Sequence, residues 1–239
     1  MTDSNTANVD PSEIAKFERI ASRWWDPNGE FKPLHDLNPV RSHYIDSRAS
    51  VAEKKLLDIG CGGGLLTEAM AVRGATVSGI DMGEAPLEVA KLHCLEKGLN
   101  IHYEKATAED YAAAHANQFD VVTCLEMLEH VPQPGNVIQA CAQLVKDDGD
   151  VFFSTINRHP KAYAFAILGA EYVMRLLPKG THEYKQFIRP SELAHWLREA
   201  GLELVDICGM TYNPFSKKFR LSAHDVDVNY LVHARKLKH

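Results

Sequence analysis

The chain has 239 residues, 45% hydrophobic and 24% charged, enough for one substantial core of ordinary globular composition. A formal net charge of −6 and a pI near 6.0 exclude the basic footprint of a nucleic-acid binder, so no nucleic-acid partner is expected. The five cysteines are odd in number, scattered and without C-x-x-C spacing, which argues against a disulfide framework or a zinc site and for reduced thiols.

The opening Met1-Thr2-Asp3-Ser4-Asn5 is polar and lacks the apolar core of a secretory leader. No run approaches the ~20 apolar residues of a spanning helix, and a cytoplasmic protein is expected. The first nine residues are polar and are expected to lack order. A helix should start at Asp10-Pro11-Ser12-Glu13, with Asp10 as N-cap, Pro11 as first helical residue and Glu13 as the acid of a capping box. Ile14, Phe17, Ala21 and Trp24 then fall on one helical face. This helix precedes the repeat that builds the rest, which divides the chain into an N-terminal helical extension or lid, residues 1–50, and a core domain, residues 51–239. Trp24-Trp25-Asp26-Pro27 and Asn28-Gly29 close it in a turn. The stretch Phe31–Tyr44 is rich in Pro, His and aromatics and has no clear period. It reads either as a lid or substrate-pocket segment or as a helix packed on the core. Within it, Arg41 either pairs bidentately with a carboxylate or stands as a solvated surface residue.

Leu56-Leu57-Asp58-Ile59 reads as a buried strand that runs into Gly60-Cys61-Gly62-Gly63-Gly64, with a helix from about Leu65. Glycines let a ligand approach the main chain, and the helix aims unpaired N–H groups back at the turn. Asp81 ends the next apolar run, Thr76-Val77-Ser78-Gly79-Ile80, where it can accept hydrogen bonds from ribose hydroxyls. The dinucleotide fingerprint G-x-G-x-x-G is absent, which disfavours a nicotinamide-dependent reductase. The pattern Asp58-x-Gly60-x-Gly62-x-Gly64 instead resembles the first motif of class I S-adenosylmethionine-dependent methyltransferases, whose cofactor carries no phosphate.

From Lys55 strands and helices alternate. Strands are expected at Leu56–Ile59, Thr76–Asp81, Ile101–Glu104, Phe119–Cys124 and Val151–Thr155. Helices are expected at Leu65–Val72, Pro86–Lys97 and Asn136–Lys146, stopped by Gly74, Gly98 and Gly149. Such alternation implies a mostly parallel sheet with helices on both faces and ligands at the carboxyl ends of its strands. That rule brings the glycine turn, Asp81, the Ala106–Asp110 turn and Leu125–His130 around one crevice. An acid in Ala106-Thr107-Ala108-Glu109-Asp110 can accept from an adenine amine, and Thr107 can cap a helix. After the fourth strand, Leu125 can lie against the adenine. No Asn-Pro-Pro-Tyr-like run and no Pro-Cys pair follows, which argues against methylation of amide or adenine nitrogen and of cytosine. Glu126, Glu129 and His130 follow instead. On a helical turn they would share a face and could hold a divalent metal, or His130 could act alone as a base.

Beyond the fifth strand an apolar insert, about 160–182, interrupts the repeat. Its segment 161–179 reads as a membrane-interface helix, a lid over a greasy substrate, or a core or dimer helix. A helix from Pro190 and strands at Leu202–Cys208 and Val226–Ala234 complete the chain. The expected fold is α/β, a Rossmann-like seven-stranded mostly parallel sheet with helices on both faces and the last strand antiparallel.

Several stretches are more specific than the fold. Ala21-Ser22-Arg23-Trp24-Trp25-Asp26, Gly29-Glu30-Phe31-Lys32-Pro33-Leu34-His35, Leu125-Glu126-Met127-Leu128-Glu129-His130-Val131 and Pro178-Lys179-Gly180-Thr181-His182 are similar to the O-methyltransferase family of ubiquinone biosynthesis. The resemblance implies S-adenosyl-L-methionine as cofactor and O-methylation of a prenylated phenol and a prenylated quinol. Carried onto this sequence, it implies cofactor contacts from Arg41, Asp58, Gly60, Gly62, Asp81, Met82, Ala108, Glu109 and Leu125, although methionine is commoner at the last position. It implies His130 and Glu129 as catalytic groups, and a divalent metal such as Mg on Glu126, Glu129 and His130. It also implies peripheral contact with the inner face of the membrane through 161–179, and association with other enzymes of the same biosynthesis. Methylation of another small phenol, or a non-catalytic membrane-associated scaffold with a vestigial cofactor site, are the competing expectations.

Overall fold

The computed structural model describes residues 8–163, 184–213, 216 and 218–238. Most of the apolar insert, 164–183, and the first seven residues thus lie outside the described residues. Two helices come first, α1 (Pro11–Ile20) and α2 (Lys32–Ala49). The alternating part runs β1 (Lys55–Ile59), α3 (Leu65–Val72), β2 (Thr76–Asp81), α4 (Glu84–Glu96), β3 (His102–Lys105), α5 (Ala108–His115), β4 (Phe119–Leu125), α6 (Pro134–Leu144) and β5 (Val145–Ile156). A short turn α7 (Pro160–Ala162), then α8 (Pro190–Glu199), β6 (Leu202–Asn213), β7 (Lys218–Ser222) and β8 (Asn229–Lys236) follow.

Adjacent side chains on each central strand go to opposite faces, and both faces are covered. Leu56, Val121 and Phe152 pack with Tyr44 and Ile45 of α2 and Met70 of α3. Their neighbours Leu57, Val122 and Phe153 pack with Val137 and Ile138 of α6 and Leu193 and Leu197 of α8. Burial on two sides is why these strands read as unbroken apolar runs rather than alternating ones.

Among the described residues the sheet has eight strands in the order β3-β2-β1-β4-β5-β8-β6-β7. β1 pairs in parallel with β2 on one side and with β4 on the other, so the chain switches direction across the sheet at β1. A crevice opens at such a point, at the carboxyl ends of the strands. β8 runs antiparallel between β5 and β6. The extra strand relative to the expected seven is β7, which pairs antiparallel with β6 at the edge. Its sequence Lys218-Phe219-Arg220-Leu221-Ser222 does alternate, with Phe219 and Leu221 packed against the core. Lys218 and Arg220 alternate with them, charges of the kind that discourage an open edge from pairing with another chain.

The aperiodic stretch after Phe31 is helical and packed on the core. α2 runs through Pro39 and buries Leu37, Tyr44, Ile45 and Ala49. It also buries Arg41 and Ser42, and these two polar residues on the inner face are what obscured the period. α6 ends at Leu144, ahead of the expected stop. Gly149 does not cap it: a Cβ there would lie 2.8 Å from the Lys146 carbonyl oxygen and 3.0 Å from that of Asp120, so this glycine serves a close backbone approach within β5.

Candidate active site

The glycine turn is shaped by its neighbours. Gly60 and Gly62 have φ of 71° and 52°, backbone that side chains resist. A Cβ at Gly60 would lie 2.6 Å from Met127 Cγ, and one at Gly62 would lie 2.2 Å from the Trp24 ring. Trp25 fixes the same turn from the side. Its indole N–H donates to the Gly63 carbonyl at 2.9 Å, and its ring stacks on His93 with centroids 3.5 Å apart.

At one end of the crevice stand Arg41, Asp58 and Leu125. Arg41 comes from α2, is 4% exposed, and among the described residues its Nε has no hydrogen-bond partner. Burial pulls the Arg41 pKa down, and the nearby charges of Glu126 and Asp58 oppose that pull. Asp58 ends below the turn and accepts from Thr123 Oγ1 at 2.6 Å. Burial lifts its carboxyl to about 7, against the Thr123 hydrogen bond and the Arg41 charge. A buried cation with an orphaned donor can take a carboxylate.

At the middle, Asp81 tips β2. Its carboxylate accepts from the Gly62 N–H at 2.9 Å and the Gly83 N–H at 2.7 Å. Burial raises its pKa while these amides, and that of Met82, hold it down. A carboxylate has room for further donors, so ribose hydroxyls can still bind there.

At the other end lie Met82, Ala108 and Glu109, together with Asn8 and Ile14 from the N-terminal segment. Thr107 caps α5, accepting from the Asp110 N–H at 3.1 Å, which leaves Glu109 to face the crevice. Glu109 Oε1 accepts from the Asn8 side-chain amide at 2.9 Å. Glu109 thus already serves as an acceptor for an amide N–H at this end of the crevice. Met127, not Leu125, lines this end. Leu125 is the last residue of β4 and lines the end of the crevice that Arg41 also lines.

Glu126, Glu129 and His130 do not share a helical face. Glu126 has φ of 53°, and only Leu128–His130 forms a turn, a 3-10 one. Glu126 accepts from Ser154 Oγ at 2.7 Å and from the Asn229 amide at 3.1 and 3.0 Å. Glu129 accepts from Thr155 Oγ1 at 2.7 Å, and its Oε1 is buried without a partner among the described residues. Burial, then the Glu126 charge, lifts the Glu129 carboxyl to about 7, with His130 acting against the rise. His130 Nδ1 lies 2.9 Å from Glu13 Oε2 of α1. Glu126 and Glu129 both accept from β5, Glu126 accepts from β8 as well, and His130 turns away to α1, and no group of three His, Cys, Asp or Glu among the described residues is arranged to hold a metal. The expected Glu126, Glu129 and His130 metal set therefore does not fit a divalent cation.

Glu13 is the residue that sequence reasoning missed. Asp10 caps α1 by accepting from the Ser12 N–H at 2.8 Å, as expected. Glu13 leaves the expected capping box and turns inward to His130 and to Lys16 Nζ, 2.5 Å away. The available signal was position: Glu13 precedes Phe17 by one helical turn, on the apolar face. Phe17 in turn sets its ring edge-on to His130, with centroids 5.3 Å apart at 89°. Burial lowers the His130 pKa, but the Glu13 hydrogen bond and the charges of Glu129, Glu13 and Glu126 outweigh it and leave the pKa raised.

The crevice thus offers a carboxylate receptacle, a ribose acceptor and an amine acceptor in a row, with an imidazole alongside. That is the outline of a nucleoside with an amino-acid tail. A family model described as a methyltransferase domain matches residues 35–207. Ubiquinone biosynthesis O-methyltransferases from Saccharophagus degradans and Pseudomonas aeruginosa are 71% and 64% identical to this chain. Each match covers 96% of this chain, with 98% and 99% of the respective relative. A SAM-dependent methyltransferase from Thermotoga maritima superposes with a TM-score of 0.66 at 18% identity, over 95% of this chain and 100% of its own. The magnesium protoporphyrin IX methyltransferase from Synechocystis, solved with bound SAH, superposes with a TM-score of 0.59 at 17% identity, over 94% of this chain and 86% of its own. At such identities the two structures speak for the fold alone.

Proposed function

Because the chain belongs to the ubiquinone biosynthesis O-methyltransferase family, we propose a mechanism in which His130 takes the proton of a ring hydroxyl as that oxygen is methylated. The chain is an S-adenosylmethionine-dependent O-methyltransferase, and its substrate is a prenylated phenol or quinol. The observation that carries the mechanism is the imidazole of His130, held by Glu13 beside the crevice that Arg41, Asp81 and Glu109 line.

The residues fit the cofactor. Arg41 has an orphaned buried donor for the tail carboxylate, with Asp58 beside it. Gly60 and Gly62 give a turn without side chains, Asp81 accepts from the ribose, and Glu109 accepts from the adenine amine in place of Asn8. Met82 and Ala108 line the adenine end, and Leu125 closes the end at Arg41. When bound, the cofactor supplies an electrophilic methyl on a cationic sulfur that becomes a neutral thioether as the C–S bond breaks.

A free phenol ionises near ~10, so at neutral pH the reacting oxygen needs a base. The ring oxygen forms the O–C bond with a lone pair while its proton passes to His130. A positioned base contributes about 10²–10⁴-fold, and holding the reactants in line contributes up to roughly 7–11 kcal/mol. Glu129, its carboxyl lifted by burial and the Glu126 charge, is adjacent in sequence and supports charge on the ring of His130.

Incubation with labelled S-adenosylmethionine and a short-chain prenyl catechol tests this. Methyl ether should form, and a chelator should leave the rate within about two-fold, since no step runs through a cation. Turnover abolished by the chelator would instead mean that Glu126, Glu129 and His130 regroup around a metal. Tight cofactor binding without turnover would favour the scaffold reading. A prenyl tail also supports the proposal that 161–179 meets the inner face of the membrane, and that the enzyme associates with others of its biosynthesis. No helix among the described residues is long and apolar enough to cross a membrane.

A further inference from the structure

We propose that Glu13 is a positioning residue for the transfer: docking of α1 over the crevice delivers the carboxylate that fixes the tautomer and orientation of the His130 ring. The inference rests on His130 acting as the base.

Geometry supports it from three directions. Glu13 is 7% exposed, a rare state for a glutamate on the first turn of a helix, and its Oε2 meets His130 Nδ1 at 2.9 Å. Lys16, one turn on, binds the other oxygen at 2.5 Å, so the carboxylate is gripped from both sides. Phe17 packs edge-on to the same imidazole and limits its rotation. A carboxylate on Nδ1 requires the proton to sit there in the neutral ring. The acceptor lone pair is then on Nε2, and the imidazolium that forms on proton transfer is stabilised by the adjacent negative charge. This is the role of the third member in a nucleophile–base–acid triad, here supplied from outside the alternating fold. The other charged groups near the ring are Glu129 beside it and Glu126 from the end of β4.

Glu13 reaches the site only when the N-terminal segment lies over the crevice. Asn8 donates to the Gln133 carbonyl and accepts from the Gln133 N–H, both at 2.8 Å, Glu18 accepts from the Glu84 N–H at 3.3 Å, and Trp25 donates to the Gly63 carbonyl. These contacts hold the N-terminal segment, whose Asn8, Glu13 and Ile14 line the crevice, so its docking both covers the site and completes the base.

The test compares Glu13→Gln, His130→Asn and the double variant. Glu13→Gln should lower kcat by about 10- to 100-fold, while KM for either substrate moves less than about three-fold. In the His130→Asn background the same change should cost nothing further, because the two residues act as one unit. Glu13→Asp should restore part of kcat. A Glu13→Gln effect that falls on cofactor KM, or that adds fully to His130→Asn, would reduce Glu13 to an anchor for α1 and overturn the inference while leaving the base intact. Native kcat in His130→Asn would overturn the base, and the inference with it. An independent reading needs no variant. Nitrogen-15 spectra of the His130 ring in the native enzyme, under conditions where the ring is neutral, should show the proton on Nδ1, and a proton on Nε2 would sink the proposal.

Discussion

Replacing His130 by Asn lowers kcat for ring methylation by about 10²–10⁴-fold and leaves cofactor affinity near native. Asn keeps a polar side chain beside Glu13 but cannot accept the phenolic proton at neutral pH. Single-turnover transfer measures the first quantity and calorimetric titration with S-adenosylmethionine the second. The pH dependence follows from the direction of the His130 shift. Burial works to lower its pKa, yet Glu13, Glu129 and Glu126 leave it raised. The base must be neutral, so kcat climbs as pH rises through that raised value, and the limb is lost in His130→Asn. The docking of α1 has the opposite sign. A raised folded pKa means that the His130 and Glu13 pair stabilises fully below the unfolded value and loses its contribution as pH rises through the folded one. A His130→Asn enzyme within ten-fold of native kcat, with its acidic limb intact, would remove the residue from the chemistry.

Exchanging Arg41 for Met weakens cofactor binding by about 2–5 kcal/mol, or roughly 30- to 5,000-fold, because it deletes one partner of a buried charge pair. Met matches the length of the stem and leaves the apolar packing of α2 in place. The cofactor-free fold is not left with a bare buried carboxylate, since Asp58 already sits at about 7 and takes up a proton once the Arg41 charge is gone. The stabilisation of Tm by saturating cofactor should therefore shrink far more than the Tm of the free protein. Arg41→Lys recovers charge but not the fork that grips both carboxylate oxygens, and should fall between the two. Native cofactor affinity in Arg41→Met would send the tail carboxylate elsewhere.

The alternating half of the molecule was legible because its physics is local. Leu56–Ile59 and Phe119–Leu125 are buried on two sides, and glycines break the helices between them, so strand, turn and helix can be read in order. The crevice was legible for the same reason: the turn, Asp81 and Ala108–Glu109 each end or follow a strand. What stayed hidden depends on long-range partners. The inner face of α2 carries Arg41, which lines the crevice, and Ser42, whose hydroxyl is satisfied by the Pro39 carbonyl at 3.2 Å. Glu13 is 117 residues from His130, and a capping box was a sufficient local account of it. Glu126, Glu129 and His130 have helical spacing, but Ser154, Thr155 and Asn229 on neighbouring strands claim the two acids, and the backbone bends at Glu126 to let them.

The chain holds three tryptophans. Trp24 lies against Gly62 and Gly63, and Trp25 is bonded to Gly63 and stacked on His93. Trp196 sits apart on α8, beside Gly135. Indole emission follows the polarity of its surroundings and is quenched by a stacked imidazole. The native protein thus carries its own optical gauge of the glycine turn, with Trp196 as a constant background. Titration with S-adenosylmethionine should shift the emission without any label, and the stopped-flow trace of that change would time cofactor arrival at the turn.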